Sequence, residues 1–258
     1  MSDPAWVAKN RRAMYNMLPG IETWKPAYQL SQEEARDIAV SYVLNNLLSL
    51  EKPVTFGPDG APTYPKIGEK PKLKLDNIGG AAYVCDNKAY TQPTTGPMDM
   101  RTAVLGVRLA RYLREQSKWG VSVIYWGGMG VGRSDTDRHG KGYAIDFHGA
   151  VTRYGKFDVQ TDWGNKPVTL PDGTKKVPTA TNPDPWPVTV RPYFRLDVDT
   201  HAGGFFYAVY HFLAGEASDN GTTQGSSIGG RSQILCPDTS DVGQRAKHQN
   251  HIHCEVDI

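Results

Sequence analysis

Cysteine is scarce in this chain, net charge is almost absent, and no long apolar run interrupts it. Only three cysteines occur among 258 residues, Cys85, Cys236 and Cys254. None forms a C-x-x-C pair, which excludes a thiolate zinc knuckle on spacing. An odd count leaves at least one thiol unpaired; a Cys85–Cys236 bridge stays open, and Cys254 reads as buried core. Lysine and arginine total 29 against 27 acidic residues, a net charge of +2. A nucleic-acid binder would carry a basic stripe, so nucleic acid is excluded as a partner. The cluster Lys9, Arg11 and Arg12 reads as a short solvated segment. No stretch approaches the roughly 18 to 20 apolar residues needed to span a bilayer, so no membrane partner is expected. The start Met1-Ser2-Asp3-Pro4 shows no basic and then apolar leader. The expectation is a chain made in the cytoplasm, which needs a non-secretory route if its substrate lies outside.

What is present suffices for a packed core. Hydrophobic residues make up 39% and charged residues 22%, a balance that argues against global disorder. Ser31 and Glu34 form a capping-box pattern, and apolar residues from Ala35 to Leu47 recur at helical spacing, so an amphipathic helix is predicted from Ser31 to about Leu50. Prolines and glycines dominate 52–74, a linker. Residues 1–75 thus read as an extension without chemical motif, suited to docking or delivery, and 76–258 as the working domain. A second helix is predicted from Asp99 to about Lys118, stopped by Gly120. Strands follow at Val121–Trp126 and Tyr143–Phe147, separated by the glycine loop 127–132. That loop lacks the Lys-Ser/Thr of a phosphate-binding loop and reads as part of an active-site rim. Between 162 and 192, Pro, Gly, Thr and Asp abound, with Pro171-Asp172-Gly173 as a hairpin turn. An apolar helix from about Gly203 to Ala214, a Gly/Ser/Thr-rich mobile stretch at 218–232 and an alternating final strand at 251–256 complete the chain. No internal repeat is present.

Two clusters carry chemistry: His139-Gly140-Lys141-Gly142-Tyr143-Ala144-Ile145-Asp146 and His248-Gln249-Asn250-His251-Ile252-His253. They hold four of the seven histidines. Without thiolates, a zinc ion prefers imidazole nitrogen and carboxylate oxygen, and a catalytic site uses three such ligands plus water. His251 and His253, two apart on a strand, point to one face, so one can bind metal while the other reaches water or substrate. Neighbouring antiparallel strands would bring Asp146 and His253 together, with the preceding loop folding His139 over them. Histidines outside the clusters, His148, His201 and His211, read as surface or core residues. Glu255 and Asp257 read as solvated, and Tyr125, Trp126 and Trp186 as core packing ahead of a substrate groove.

His139-x-x-Gly142-x-Ala144-x-Asp146 followed by a late His-x-His resembles the LAS-type zinc peptidases, especially the D-Ala-D-Ala peptidases and murein endopeptidases. The run His248-x-x-His251-x-His253 is similar to the murein endopeptidase branch and to extensin-like carboxy-terminal domains. The resemblance covers roughly 99–258. It implies an α+β fold, a small antiparallel sheet flanked by helices with one zinc ion on the open face, here with a helical N-terminal extension and loop insertions. It implies His139, Asp146 and His253 as the ligands and His251 as base or transition-state donor, assisted by His248. Three departures stand out. Asp137 replaces a serine that holds a substrate carboxylate, which disfavours a strict carboxypeptidase. Asn250 replaces a general-base glutamate. Trp126-Gly127-Gly128 stands where the family has Ser-Gly-Tyr-Arg, leaving Arg133 or Arg138, with Asp137, to contact substrate.

The expected activity is zinc-dependent hydrolysis of amide bonds in peptidoglycan peptides, as an endopeptidase of the lysin or delivered-toxin kind, in the periplasm or cell wall. Residues 1–75 would then serve a delivery or injection apparatus. Two other readings stand beside it: a zinc peptidase acting on a protein, which Asp137 and the 162–192 segment motivate, and a zinc-stabilised binding module without turnover, which Asn250 motivates.

Overall fold

In the computed structural model the described residues are 25–85, 93–116, 118–130, 136–163, 168–169, 172–173, 175–176, 196–217, 234–239, 244 and 247–256. The sequence readings at Lys9, Arg11, Arg12, Arg133, Trp186, Asp257 and 218–232 lie outside them. The first half runs α1 (Gln32–Leu44), β1 (Leu48–Leu50), β2 (Thr55–Phe56), β3 (Pro62–Tyr64), β4 (Leu73–Ile78), β5 (Ala82–Cys85) and α2 (Met100–Arg111). Next come β6 (Val123–Gly127), β7 (Ala144–Thr152), β8 (Gly155–Asp158), α3 (Val159–Asp162), β9 (Val168–Thr169) and β10 (Lys175–Lys176). The last elements are α4 (His201–Glu216), β11 (Ile234–Leu235) and β12 (Ile252–Glu255). Helices and mostly antiparallel sheets make this an α+β fold.

The capping box opens α1 as the sequence predicts. Ser31 Oγ accepts from the Glu34 N–H at 3.0 Å, and Glu34 Oε2 accepts from the Ser31 N–H at 2.8 Å, satisfying two otherwise orphaned donors. The helix ends at Leu44, earlier than its apolar period predicts. Asn45 caps it by donating from Nδ2 to the Ser41 carbonyl, and Asn46 takes the left-handed conformation at φ 56°, which asparagine tolerates better than most residues. The chain thereby turns, and Leu48–Leu50 becomes a strand paired with β4. Within the expected linker, β2 and β3 form a small hairpin. Further on, β9 and β10 pair antiparallel; Pro171 of the predicted turn lies outside the described residues.

Every residue of α2 is buried. Its α-helical part closes at Arg111, and Tyr112–Gln116 continues as a π-helical turn. The main sheet runs β11-β12-β7-β6-β5, with β8 pairing the second half of β7. Its pairings are antiparallel except β5 with β6, which is parallel, a departure from the wholly antiparallel expectation. A parallel pair needs a crossover connection, and α2 lies in that connection. One face of the sheet is core. Ile124, Trp126, Ile145, Phe147, Ile252 and Cys254 share one hydrophobic cluster with Phe205, Phe206 and Val209 of α4, with α2, and with Ala35, Ile38 and Tyr42 of α1. Trp126 stacks on Tyr83 and meets Phe147 edge-on, so it is a core residue as expected.

A buried ion pair crosses this core. Arg108 Nη1 of α2 lies 2.9 Å from Glu216 Oε2 of α4, both 1% exposed. The same carboxylate oxygen accepts from the Ala27 N–H, and Arg108 also donates to the Lys25 carbonyl. The approach to α1 is thereby fastened to both core helices. No helix among the described residues is long and apolar enough to cross a membrane. Cys236 and Cys254 are buried free thiols, so the Cys85–Cys236 bridge is not formed.

Candidate metal centre

Register decides where the site forms. β12 lies beside β7 with His253 directly opposite Asp146, and on the other side of β7 Gly127 of β6 faces the same aspartate. Side chains alternate along a strand. With Ile145, Phe147, Ile252 and Cys254 in the core, Asp146, His253 and Glu255 project from the opposite face. Glycine is required beside them. A Cβ on Gly127 would collide with His148 Nε2, and one on Gly128 (φ +62°) would fall 2.5 Å from His139 Nδ1 and 2.6 Å from Asp146 Oδ2.

His139 arrives on a tight turn preceding β7. Asp137 Oδ1 accepts from the His139 N–H at 2.9 Å, and the Lys141 and Gly142 N–H groups bond back to the Asp137 and His139 carbonyls. The Gly142 carbonyl accepts from Thr102 Oγ1 and from the Asp99 N–H, docking the turn on the start of α2. The Asp137 carboxylate is therefore part of the turn that presents His139.

Three imidazole nitrogens converge on one carboxylate oxygen. His253 Nδ1 lies 2.9 Å, His139 Nε2 3.4 Å and His251 Nε2 3.5 Å from Asp146 Oδ1. The ligating atoms of His139, Asp146 and His253 lie within 4.8 Å of one another, as do those of His248, His251 and His253. His253 is common to both groups. The outward nitrogen of each ring has its own acceptor. His139 Nδ1 meets the Gly128 carbonyl at 2.6 Å, and His248 Nδ1 the Gln244 carbonyl at 2.6 Å. His251 Nδ1 meets Asn250 Oδ1 at 2.7 Å, and His253 Nε2 meets Glu255 Oε1 at 2.8 Å. An N–H directed outward leaves the inner nitrogen with a lone pair, the tautomer a metal ligand needs. Buried imidazoles and a carboxylate fit zinc, and the same donors suit other first-row divalent ions.

The electrostatics agree with that fit. Burial favours a neutral Asp146, yet the hydrogen bond from His253 and the surrounding histidines outweigh it and hold the carboxyl well below the usual range. Burial disfavours charge on His253, but hydrogen bonds to Asp146 and Glu255 push it up to about 9. Burial holds His251 down, to about 3, with the neighbouring histidines adding to the effect. Burial also lowers His139 and His248. His253 is thus held protonated between two carboxylates, and an ion held at Nδ1 would take the place of the proton there.

His139, Asp146 and His253 come together as the sequence predicts, with His251 and His248 against them. The His248 and His251 rings are 4.8 Å apart. Arg138 reaches Glu255, Nε to Oε2 at 3.8 Å, and its side chain is 41% exposed. His201 and His211 lie away from the centre against Tyr154 and Tyr207, as surface or core residues would. Two readings need correction. His148 is neither remote surface nor core: it stacks on His251 at 5.3 Å and abuts Gly127. Glu255 is not a solvated strand end; it faces the site and bonds His253. Strand alternation carried the signal for both, since His148 follows Asp146 by two and Glu255 follows His253 by two. No family model matches the chain, and no curated protein or solved structure matches it.

Proposed function

We propose that this chain is a zinc-dependent hydrolase of amide bonds whose substrate is the peptide portion of peptidoglycan. The observation that carries the metal-dependent part is the convergence of three ring nitrogens on Asp146 Oδ1, each ring with an acceptor behind its other nitrogen. The peptidoglycan part is supported by the paired motifs around His139–Asp146 and His248–His253 and by their resemblance to LAS-type peptidases. Zinc held by His139, Asp146 and His253 would polarise the scissile carbonyl and bring a bound water toward a pKa of about 7.

The remaining work falls to the chain's own groups. His251 is neutral at physiological pH, with Nε2 turned toward the centre and Nδ1 held by Asn250. It is placed to take a proton from the attacking water and return it to the leaving amine. His248 packs behind it. Asn250 thus has a use without being a base, since it orients His251, and this weakens the case for a binding module without turnover. Tyr125, half-buried and not the core residue the sequence reading expects, lies on the same sheet face two residues before Gly127, where an extended peptide would lie along the strands.

The test is digestion of purified sacculi by the wild-type chain, by chelator-treated chain and by Asp146→Ala, with soluble muropeptides analysed by mass spectrometry. Shortened cross-links with wild type alone are expected. Unchanged muropeptides from zinc-loaded wild type would sink the substrate assignment. Loss of activity with retained zinc in His251→Ala would assign the proton-transfer role to that residue. Action in the periplasm or cell wall, after release or injection, is part of the same proposal.

A further inference from the structure

Glu255 stands behind the centre, against the outer nitrogen of His253. Glu255 Oε1 lies 2.8 Å from His253 Nε2, while His253 Nδ1 faces Asp146 on the opposite side of the ring. The other oxygen of Glu255 is met by Arg138 Nε at 3.8 Å. Its side chain is 13% exposed, so this is no free surface acid meeting a histidine by chance. Resting on the metal reading above, we propose that Glu255 is the positioning residue of the centre: it fixes the His253 ring and its tautomer, and so sets the affinity for the ion.

The argument runs through the ring. His253 has two nitrogens, and only one can hold the proton while the other binds a cation. With an ion at Nδ1, the ring keeps one proton, and a carboxylate on Nε2 holds it there and leaves the Nδ1 lone pair toward Asp146, His139 and His251. A carboxylate also draws on that N–H more strongly than a neutral carbonyl does, which makes the ligating nitrogen more basic. The other rings have neutral acceptors behind them: a carbonyl for His139, a carbonyl for His248 and an amide oxygen for His251. His253 is the exception and the residue common to both donor groups. Strand geometry makes the contact a short-range one. Residues 253 and 255 share a face of β12, so two residues of backbone deliver both partners.

The experiment measures zinc affinity of the full chain by competition with a chromophoric chelator, for wild type, Glu255→Ala and Glu255→Gln. Removal of such an outer partner costs about 10–100-fold in metal affinity, and that loss is expected for Glu255→Ala. Glu255→Gln keeps an oxygen that can accept from Nε2 and should fall between the alanine variant and wild type. Glu255→Ala within about twofold of wild type overturns the proposal, and so does Glu255→Gln as weak as Glu255→Ala. If the alanine variant fails to fold, the exchangeable imidazole N–H of His253 in the cobalt-loaded wild type decides. Protection from solvent exchange supports the bond to Glu255, and exchange as fast as a free imidazole overturns it. Wild type that binds no zinc defeats the functional reading as well; wild type that binds zinc beside an unaffected Glu255→Ala defeats the positioning role alone.

Discussion

Zinc added to metal-free protein should release about one proton, and the proton should come from His253. Among His139, His248, His251 and His253, His253 alone is pushed up, to about 9, because two carboxylates face its two nitrogens. Asp146 is held ionised by the histidines around it, His251 is lowered to about 3, and burial lowers His139 and His248. An ion entering at pH 6.5 therefore meets lone pairs at every ligand except His253 Nδ1, where it must displace a proton. The cost is the gap between 9 and 6.5, about 3.4 kcal/mol or roughly 300-fold in affinity. Since the proton-bearing form is the one that excludes metal, affinity rises with pH, about tenfold per unit, and levels off above the His253 value. Calorimetric titration at pH 6.5 in buffers of different ionisation enthalpy counts the protons directly. A count near zero would mean that His253 is already neutral in the apo protein. A count of two or more would mean that His251 or His139 is charged there. Either result refutes the electrostatic picture of the site.

Two further substitutions probe the surroundings. Gly128→Ala places a methyl group against His139 Nδ1 and Asp146 Oδ2 on a backbone at φ +62°; metal content by mass spectrometry should fall sharply, and the left-handed conformation adds about 1–2 kcal/mol of destabilisation. Full zinc content in that variant would mean that His139 is not a ligand. Glu216→Ala leaves the Arg108 guanidinium in the core without its carboxylate, and urea unfolding should show a loss of about 3–5 kcal/mol; a change below about 1 kcal/mol would show that the pair is dispensable.

Much of the centre was legible because its residue types are rare and its spacings are local. The strand periods at 144–147 and 252–255 follow from alternation, and the start of α1 follows from one capping box. What could not be read locally is register. Nothing in either strand alone says that position 253 stands opposite 146, and a slip of one would pair His253 with a core residue instead. His148 and Glu255 look ordinary as single residues, and only alternation along each strand assigns them to the faces of Asp146 and His253. The overlong helix has a different cause. Leu47 continues the helical period, but Asn45 and Asn46 compete for backbone hydrogen bonds and end the helix first. The β5–β6 pair is a third case, since four residues of strand become a parallel partner only across the intervening α2.

The core is what holds the chemistry in place. Ile252 and Cys254 are buried on one face of β12, and Ile145 and Phe147 are buried on the same face of β7. A one-residue shift would drive His253 and Asp146 into that apolar layer and lift the aliphatic side chains into the cleft. The hydrophobic packing that fixes the sheet therefore also fixes Asp146 against His253, before any ion is considered. His139 is set by a separate anchor, the Gly142 carbonyl bonded to the start of α2. On the metal reading, a cation would have only to replace one proton among donors already gathered. A centre built this way spends binding free energy on the ion rather than on ordering its ligands, and pre-ordered ligands bind more tightly than ones that must be collected.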